Sequence, residues 1–260
     1  MHSKYGCDPK RLFVTGTDTD IGKTVTTIAL MQALKLQGHQ VAGFKPVAAG
    51  GITREVANEL GALCKERNKD ALLIQKQSSY KQSYESVNPM FFSEAIAPHI
   101  AAVNQGTALT AAACADTVFQ QIENLNLPSS GSFSVIEGAG GWRVPLNDNE
   151  YFSDLAAKLN AGVILVVGIR LGCLNHAVLT AEAIERDGLP LLGWVANCCD
   201  PNAFYIEENI LTLKASIDAP MVARIPYLSA PFDLMSGEPS QSLGSYVDVK
   251  ELTGRISTFS

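Results

Sequence analysis

Gly22, Lys23 and Thr24 close the stretch Val14-Thr15-Gly16-Thr17-Asp18-Thr19-Asp20-Ile21-Gly22-Lys23-Thr24. An ammonium beside a hydroxyl, behind a glycine that allows close backbone approach, is the combination that grips a polyphosphate. Lys23 would reach the β- and γ-phosphates, and the Thr24 hydroxyl would ligate Mg²⁺. Backbone N–H groups of such a loop, and of the helix behind it, converge on anionic oxygens. The common spacing is Gly, four residues, then Gly-Lys-Ser/Thr. Here the leading glycine position is Thr17, and Gly16 lies one residue early. An ordinary strand-to-helix turn could carry the same letters. The context favours the phosphate loop: the apolar run Leu12-Phe13-Val14 precedes it and the amphipathic stretch Val25–Leu36 follows.

Three further residues fit the same chemistry. Lys45 closes the apolar run Gln40–Phe44 and precedes Pro46, which argues for a loop at that point. Strand carboxyl ends are where open α/β sheets place ligands. Glu137 closes Phe133-Ser134-Val135-Ile136 and is followed by Gly138-Ala139-Gly140-Gly141. An acidic residue at that place in a phosphate-loop protein is expected to give a second Mg²⁺ contact. Asp70, in Asn68-Lys69-Asp70, reads on its own as a helix cap. His99 follows Pro98 and reads as packed or capping, without chemistry.

The elements that must position these residues alternate. Strand-like runs at 12–14, 40–44, 133–136, 162–168, 191–196 and 221–225 are separated by helix-like stretches at 25–36, 110–123, 152–159, 171–186 and 204–217. Arg54–Arg67 also reads as a helix, and Ala71–Gln77 continues one from the Asp70 cap. The stretch from Val87 to Ala101 and Ser129–Ser132 read as loops. Alternation of this kind gives an α/β fold: a doubly wound, mainly parallel sheet with helices on both faces. One domain over residues 1–260 is expected, with a tail at 1–11 and a C-terminal segment, 229–260, holding one terminal helix.

Composition agrees. The 260 residues are 47% apolar and 18% charged, enough for a large core and without a disorder signature. A net charge of −6 speaks against general nucleic-acid binding. Six cysteines, at 7, 64, 114, 173, 198 and 199, form no C-x-x-C pair and read as reduced and mostly buried. No signal core and no membrane-spanning run is read, so the expectation is a cytoplasmic protein.

The run from Phe13 to Val25 resembles the dethiobiotin synthetase family. So do Gly43-Phe44-Lys45-Pro46-Val47-Ala48, Val87-Asn88-Pro89, Ala97-Pro98-His99-Ile100 and Glu137-Gly138-Ala139-Gly140-Gly141-Trp142. Leu171-Gly172-Cys173-Leu174-Asn175-His176-Ala177, Gly193-Trp194-Val195-Ala196-Asn197 and Ile225-Pro226-Tyr227-Leu228 continue the likeness in order. That family's loop also carries Thr at the leading glycine position. The resemblance implies a homodimeric enzyme that uses ATP, Mg²⁺ and CO₂ or bicarbonate to close the ureido ring of dethiobiotin from 7,8-diaminononanoate.

By that likeness, Lys45 and Lys23 are catalytic, Lys45 contacting the carbamate and the γ-phosphate. Asp20, Ile21, Gly22, Thr24, Val25 and Glu137, Gly138, Ala139, Gly140 line the nucleotide. Thr24, Asp70 and Glu137 hold the metal. Asn197 and Cys198 meet the adenine, flanked by Pro226, Tyr227 and Leu228. Thr17, Lys45 and Ala49 hold the diamino acid, with Leu171, Gly172, Cys173 and Asn175 supplied across a dimer interface. Three positions depart from the family: Ala49 where it often has Ser, Cys198 where it commonly has Asp, and Asn209 where it has a carboxylate-binding Tyr. An acidic nucleotide contact is expected near Asp233. Two other classes fit part of the pattern. A partition-type ATPase is disfavoured by the lack of a lysine at Thr17 or Asp18 and of a basic or amphipathic tail. A binder with a degraded substrate site would account for Ala49 and Asn209.

Overall fold

The computed structural model describes residues 8–51, 66–128, 131–229 and 242–259. Among them, six strands form one parallel sheet: β1 (Asp8–Gly16), β2 (Gln40–Phe44), β5 (Ser132–Glu137), β6 (Ala161–Gly168), β7 (Leu191–Asn197) and β8 (Met221–Ile225). Their spatial order is β2-β5-β1-β6-β7-β8. The central strands are covered on both faces, so they read as unbroken apolar runs. β6, Ala161–Gly168, is buried at every position.

Period-2 alternation sends consecutive side chains to opposite faces. Phe13, Val163, Leu165 and Val167 belong to one core, and Leu12, Val14, Ile164 and Val166 to the other. The first core packs under helices that include α5 (Ala111–Asn124), α6 (Phe152–Lys158), α7 (Cys173–Arg186) and α8 (Ile206–Ser216). The second packs under α1 (Lys23–Leu36), α2 (Lys69–Gln77) and α9 (Val249–Ser257). No helix among the described residues is long and apolar enough to cross a membrane.

The doubly wound parallel sheet expected from the sequence is present. The differences are local. β1 begins at Asp8, inside the stretch expected to be a tail. Asp8 N–H donates to Asn160 O, and the Arg11 guanidinium donates to Leu159 O and lies over the Phe119 ring, which ties this start to the sheet. Residues 47–49, expected as loop, form β3 (Val47–Ala49), paired in parallel with β4 (Met90–Phe92). Two short helices flank the stretch 87–101 expected as loop: α3 (Tyr84–Val87) ends on its first residue and α4 (Pro98–Asn104) takes up its end, with Pro98 in the first turn, where its missing N–H costs nothing.

Asn68, not Asp70, caps α2: its side chain accepts from Ala71 N–H, and Asp70 stands in the first turn. The expected terminal helix is α9. The helix expected at 54–67 and the contact near Asp233 fall largely or wholly outside the described residues. Of the described cysteines, Cys114, Cys173 and Cys198 are buried and Cys199 is half-buried, all as free thiols.

Candidate active site

β1 delivers the loop and α1 receives it. α1 starts on Gly22, which has φ +88° and offers no side-chain cap, so the first helical N–H groups are left to whatever the loop encloses. A Cβ on Gly22 would lie 2.0 Å from Asn197 Nδ2. Only glycine satisfies both that backbone angle and that contact. The Asn197 amide, at the end of β7, donates to Ile21 O at 2.7 Å and props the loop from below.

Lys23 Nζ donates to Asp18 O at 2.7 Å. An ammonium has three donors, so this bond orients the side chain and leaves donors for phosphate oxygens. Burial lowers the Lys23 pKa to about 8, partly offset by the negative charge of Glu137. The Asp18 carboxylate in turn pairs with Arg170, just beyond β6.

β5 lies beside β1 and ends on Glu137. Its Oε1 accepts from Thr24 Oγ1 at 3.0 Å and from Lys45 Nζ at 2.6 Å. Lys45 is 4% exposed and Glu137 1%. Lys45 Nζ also donates to Gly138 O at 3.2 Å and lies 3.8 Å from Asp70 Oδ2. Burial works against the charge on Lys45. Glu137 first, then Asp70, overcome it and hold the pKa above the ordinary lysine value.

The two lysines and the two carboxylates face one cleft of about 420 Å³. Asp20, Gly22, Lys23, Thr24, Val25, Lys45, Ala49, Asp70, Glu137, Ala139 and Gly140, all expected from the sequence, line it. Ile21, expected at the nucleotide, is instead buried beneath the loop. Gly138 takes part through its carbonyl on Lys45. Thr19 and Asn68 line the cleft although nothing in their spacing singled them out. Thr19 sits in an irregular loop, where no period reports side-chain direction.

Thr17 lines a second cleft, of about 470 Å³, with Trp142 and Arg143. Cys198 is buried beyond Asn197, and burial pushes its thiol up. Pro226 and Tyr227 are exposed after β8, with Leu228 packed on the second core. Leu171, Gly172 and Asn175 are exposed at the start of α7, Cys173 is buried there, and none of the four lines the cleft. Asn209 donates to Tyr205 O within α8.

A metal ion fits the donor set. Glu137 Oε2 is buried without a hydrogen-bond partner among the described residues, which is costly for a carboxylate unless a ligand takes it up. The Thr24 hydroxyl and Asp70 flank it from the loop and from α2. No cluster of three or more His, Cys, Asp or Glu residues suited to a metal occurs among the described residues.

A parallel sheet, a loop that opens α1 on Gly22, and a Lys-Thr-Glu constellation with its lysine and glutamate buried define a P-loop nucleotide-binding protein. An AAA domain family model matches residues 10–231. The cell division ATPase MinD of Pyrococcus furiosus is similar in fold, with a TM-score of 0.56 over 96% of this chain and 100% of that one, at 16% identity. The septum site-determining protein MinD of Pyrococcus horikoshii, complexed with Mg-ADP, gives 0.55 over 94% of each chain, also at 16% identity.

Sequence similarity is far higher elsewhere. The ATP-dependent dethiobiotin synthetase BioD of Cellvibrio japonicus is 48% identical over 85% of this chain and 90% of its own length. The protein of the same name from Yersinia pestis bv. Antiqua is 43% identical over 94% and 95%. The chain belongs to the ATP-dependent dethiobiotin synthetase family.

Proposed function

We propose that this cleft closes a ureido ring, making dethiobiotin from 7,8-diaminononanoate, CO₂ and ATP. The observation that carries this reading is the Lys45 ammonium, buried and held by Glu137 in the same cleft as the Lys23 ammonium. One substrate amine adds to CO₂, loses a proton and becomes a carbamate. A carbamate oxygen attacks the γ-phosphorus, and the bond to the bridging oxygen breaks, releasing ADP. The second amine then attacks the carbamate carbon. The C–O bond breaks, phosphate leaves, and the ring closes with loss of a proton.

Attack of one anion on another is a problem of charge and alignment. Lys23 would hold the triphosphate from the loop, and Lys45 would neutralise the carbamate and the transferring phosphoryl group from the opposite side. Mg²⁺, held by Thr24, Glu137 and Asp70, would neutralise charge on the phosphate oxygens. Asn197 and the segment from Pro226 to Leu228 would meet the adenine, and Thr17 and Ala49 the diamino acid.

The segment from Leu171 to Asn175 would complete a partner's cleft in a homodimer. Exposed Leu171, Phe204 and Tyr205, with α7 packed on α8, support that arrangement. Consumption of ATP supports a cytoplasmic location, which cell fractionation would check. The test of function is omission: ADP forms only when ATP, Mg²⁺, bicarbonate and the diamino acid are all present. ADP release at the same rate without the diamino acid would reject the reading in favour of a partition-type ATPase.

A further inference from the structure

Behind Lys45 runs a chain of hydrogen bonds that meets the cleft only at Asn68 among its side chains. Asn88 Nδ2 donates to Lys45 O at 2.7 Å, and Lys45 N–H donates to Val87 O at 2.9 Å. The Tyr84 hydroxyl donates to Asn88 Oδ1 at 2.8 Å and accepts from Asn68 N–H at 2.7 Å. Asn68 caps α2 through Ala71 N–H and donates from Nδ2 to Gly50 O at 3.1 Å. Tyr84, Asn88 and Asn68 are all buried. A buried tyrosine hydroxyl needs a partner in any core, so one bond would mean little. This hydroxyl is used on both sides, and the groups it joins lead to different walls of the site. One side fixes the main chain of Lys45, and the other fixes the cap two residues before Asp70.

We infer that Tyr84, through Asn88 and Asn68, is a positioning residue that sets Lys45 against Asp70, and so aligns the cation for phosphoryl transfer without contacting substrate. The inference rests on the proposed ring-closing reaction. The geometry gives a reason for so much local fastening. Lys45 lies 3.8 Å from Asp70 and 2.6 Å from Glu137, so a shift of its main chain would change both distances. Burial also pushes the Tyr84 pKa up to about 12, so the hydroxyl keeps its proton as a donor across any working pH.

Tyr84→Phe removes one oxygen and keeps the ring, which packs edge-on against Phe91 and under the Arg67 guanidinium. The expected result is a fall in kcat of about tenfold, as small misplacements at a reacting centre give. ADP affinity should change less than about twofold, because ADP is gripped by the loop, away from Lys45. The assay runs well below the melting transition, so lost stability alone would leave kcat intact. Should Tyr84→Phe fail to fold, Asn88→Ala removes the acceptor of the Tyr84 hydroxyl and the donor to Lys45 O without altering the cleft lining, and it should reduce kcat several-fold with the same unchanged ADP affinity. In the wild-type chain, diamino-acid-dependent ADP release must be present first, and its absence would overturn the reaction itself. With that in place, an unchanged kcat in the folded variants, or a parallel loss of ADP affinity, would overturn the positioning role.

Discussion

Lys45 is the residue on which the proposed chemistry turns, and its surroundings explain how a lysine stays charged while buried. Glu137 and Asp70 outweigh the cost of burial. Lys45→Ala should lower turnover about 100-fold or more through loss of transition-state charge, while a titration with ADP gives near wild-type affinity. The same variant strands Glu137 without its cation, so urea unfolding should show a loss of about 3 kcal/mol. Adding Glu137→Gln should recover part of that stability and none of the turnover. Retained turnover in Lys45→Ala would remove Lys45 from the mechanism. Lys45 and Glu137 were legible in the sequence because each stands at the end of an apolar strand, and Gly-Lys-Thr because it leads from a strand's loop into a helix. Asp70 was misread as a cap because Asp and Asn cap alike, and only the structure shows Asn68 taking that place.

At the scale of elements, the loop and α1 together bury the Lys23 ammonium. Burial lowers its pKa to about 8, so in the free protein it loses its charge within an accessible range. A bound triphosphate would raise that pKa, so binding takes up a proton above it. The ATP affinity is then fully present below pH 8 and falls as pH rises through 8, by up to about tenfold per unit. Calorimetric titrations from pH 7 to pH 9.5, with Lys23→Met as the control lacking this slope, check it. A flat profile to pH 9.5 would show that Lys23 is not the titrating group. A long apolar run such as β6 and a long amphipathic stretch such as α7 were readable from the chain. β3, α3 and α4 were not, because three to seven residues are too few for a period to declare itself. The prop beneath the loop was also hidden: Asn197 reaches Ile21 across most of the chain, and no local pattern encodes that contact.

At the scale of the molecule, the fold alone is shared with MinD proteins at 16% identity, and it does not choose between a switch and a synthetase. Side chains at the strand ends, and relatives at 43–48% identity, make that choice. The exposed start of α7 gives the proposed homodimer its testable form. Sedimentation should show a dimer without nucleotide, and Leu171→Asp should weaken it and raise KM for the diamino acid about tenfold, as removal of an apolar interface anchor does. A wild-type chain that stays monomeric at micromolar concentration and is fully active would contradict it.

The central claim is that carbon from CO₂ ends between two amines of the diamino acid at the expense of ATP. Mass spectrometry of a reaction with ¹³C-bicarbonate, Mg-ATP and 7,8-diaminononanoate tests it most directly. The prediction is dethiobiotin with the label in its ureido carbonyl, formed in step with ADP and absent when ATP is left out. ADP formed without labelled product would contradict it.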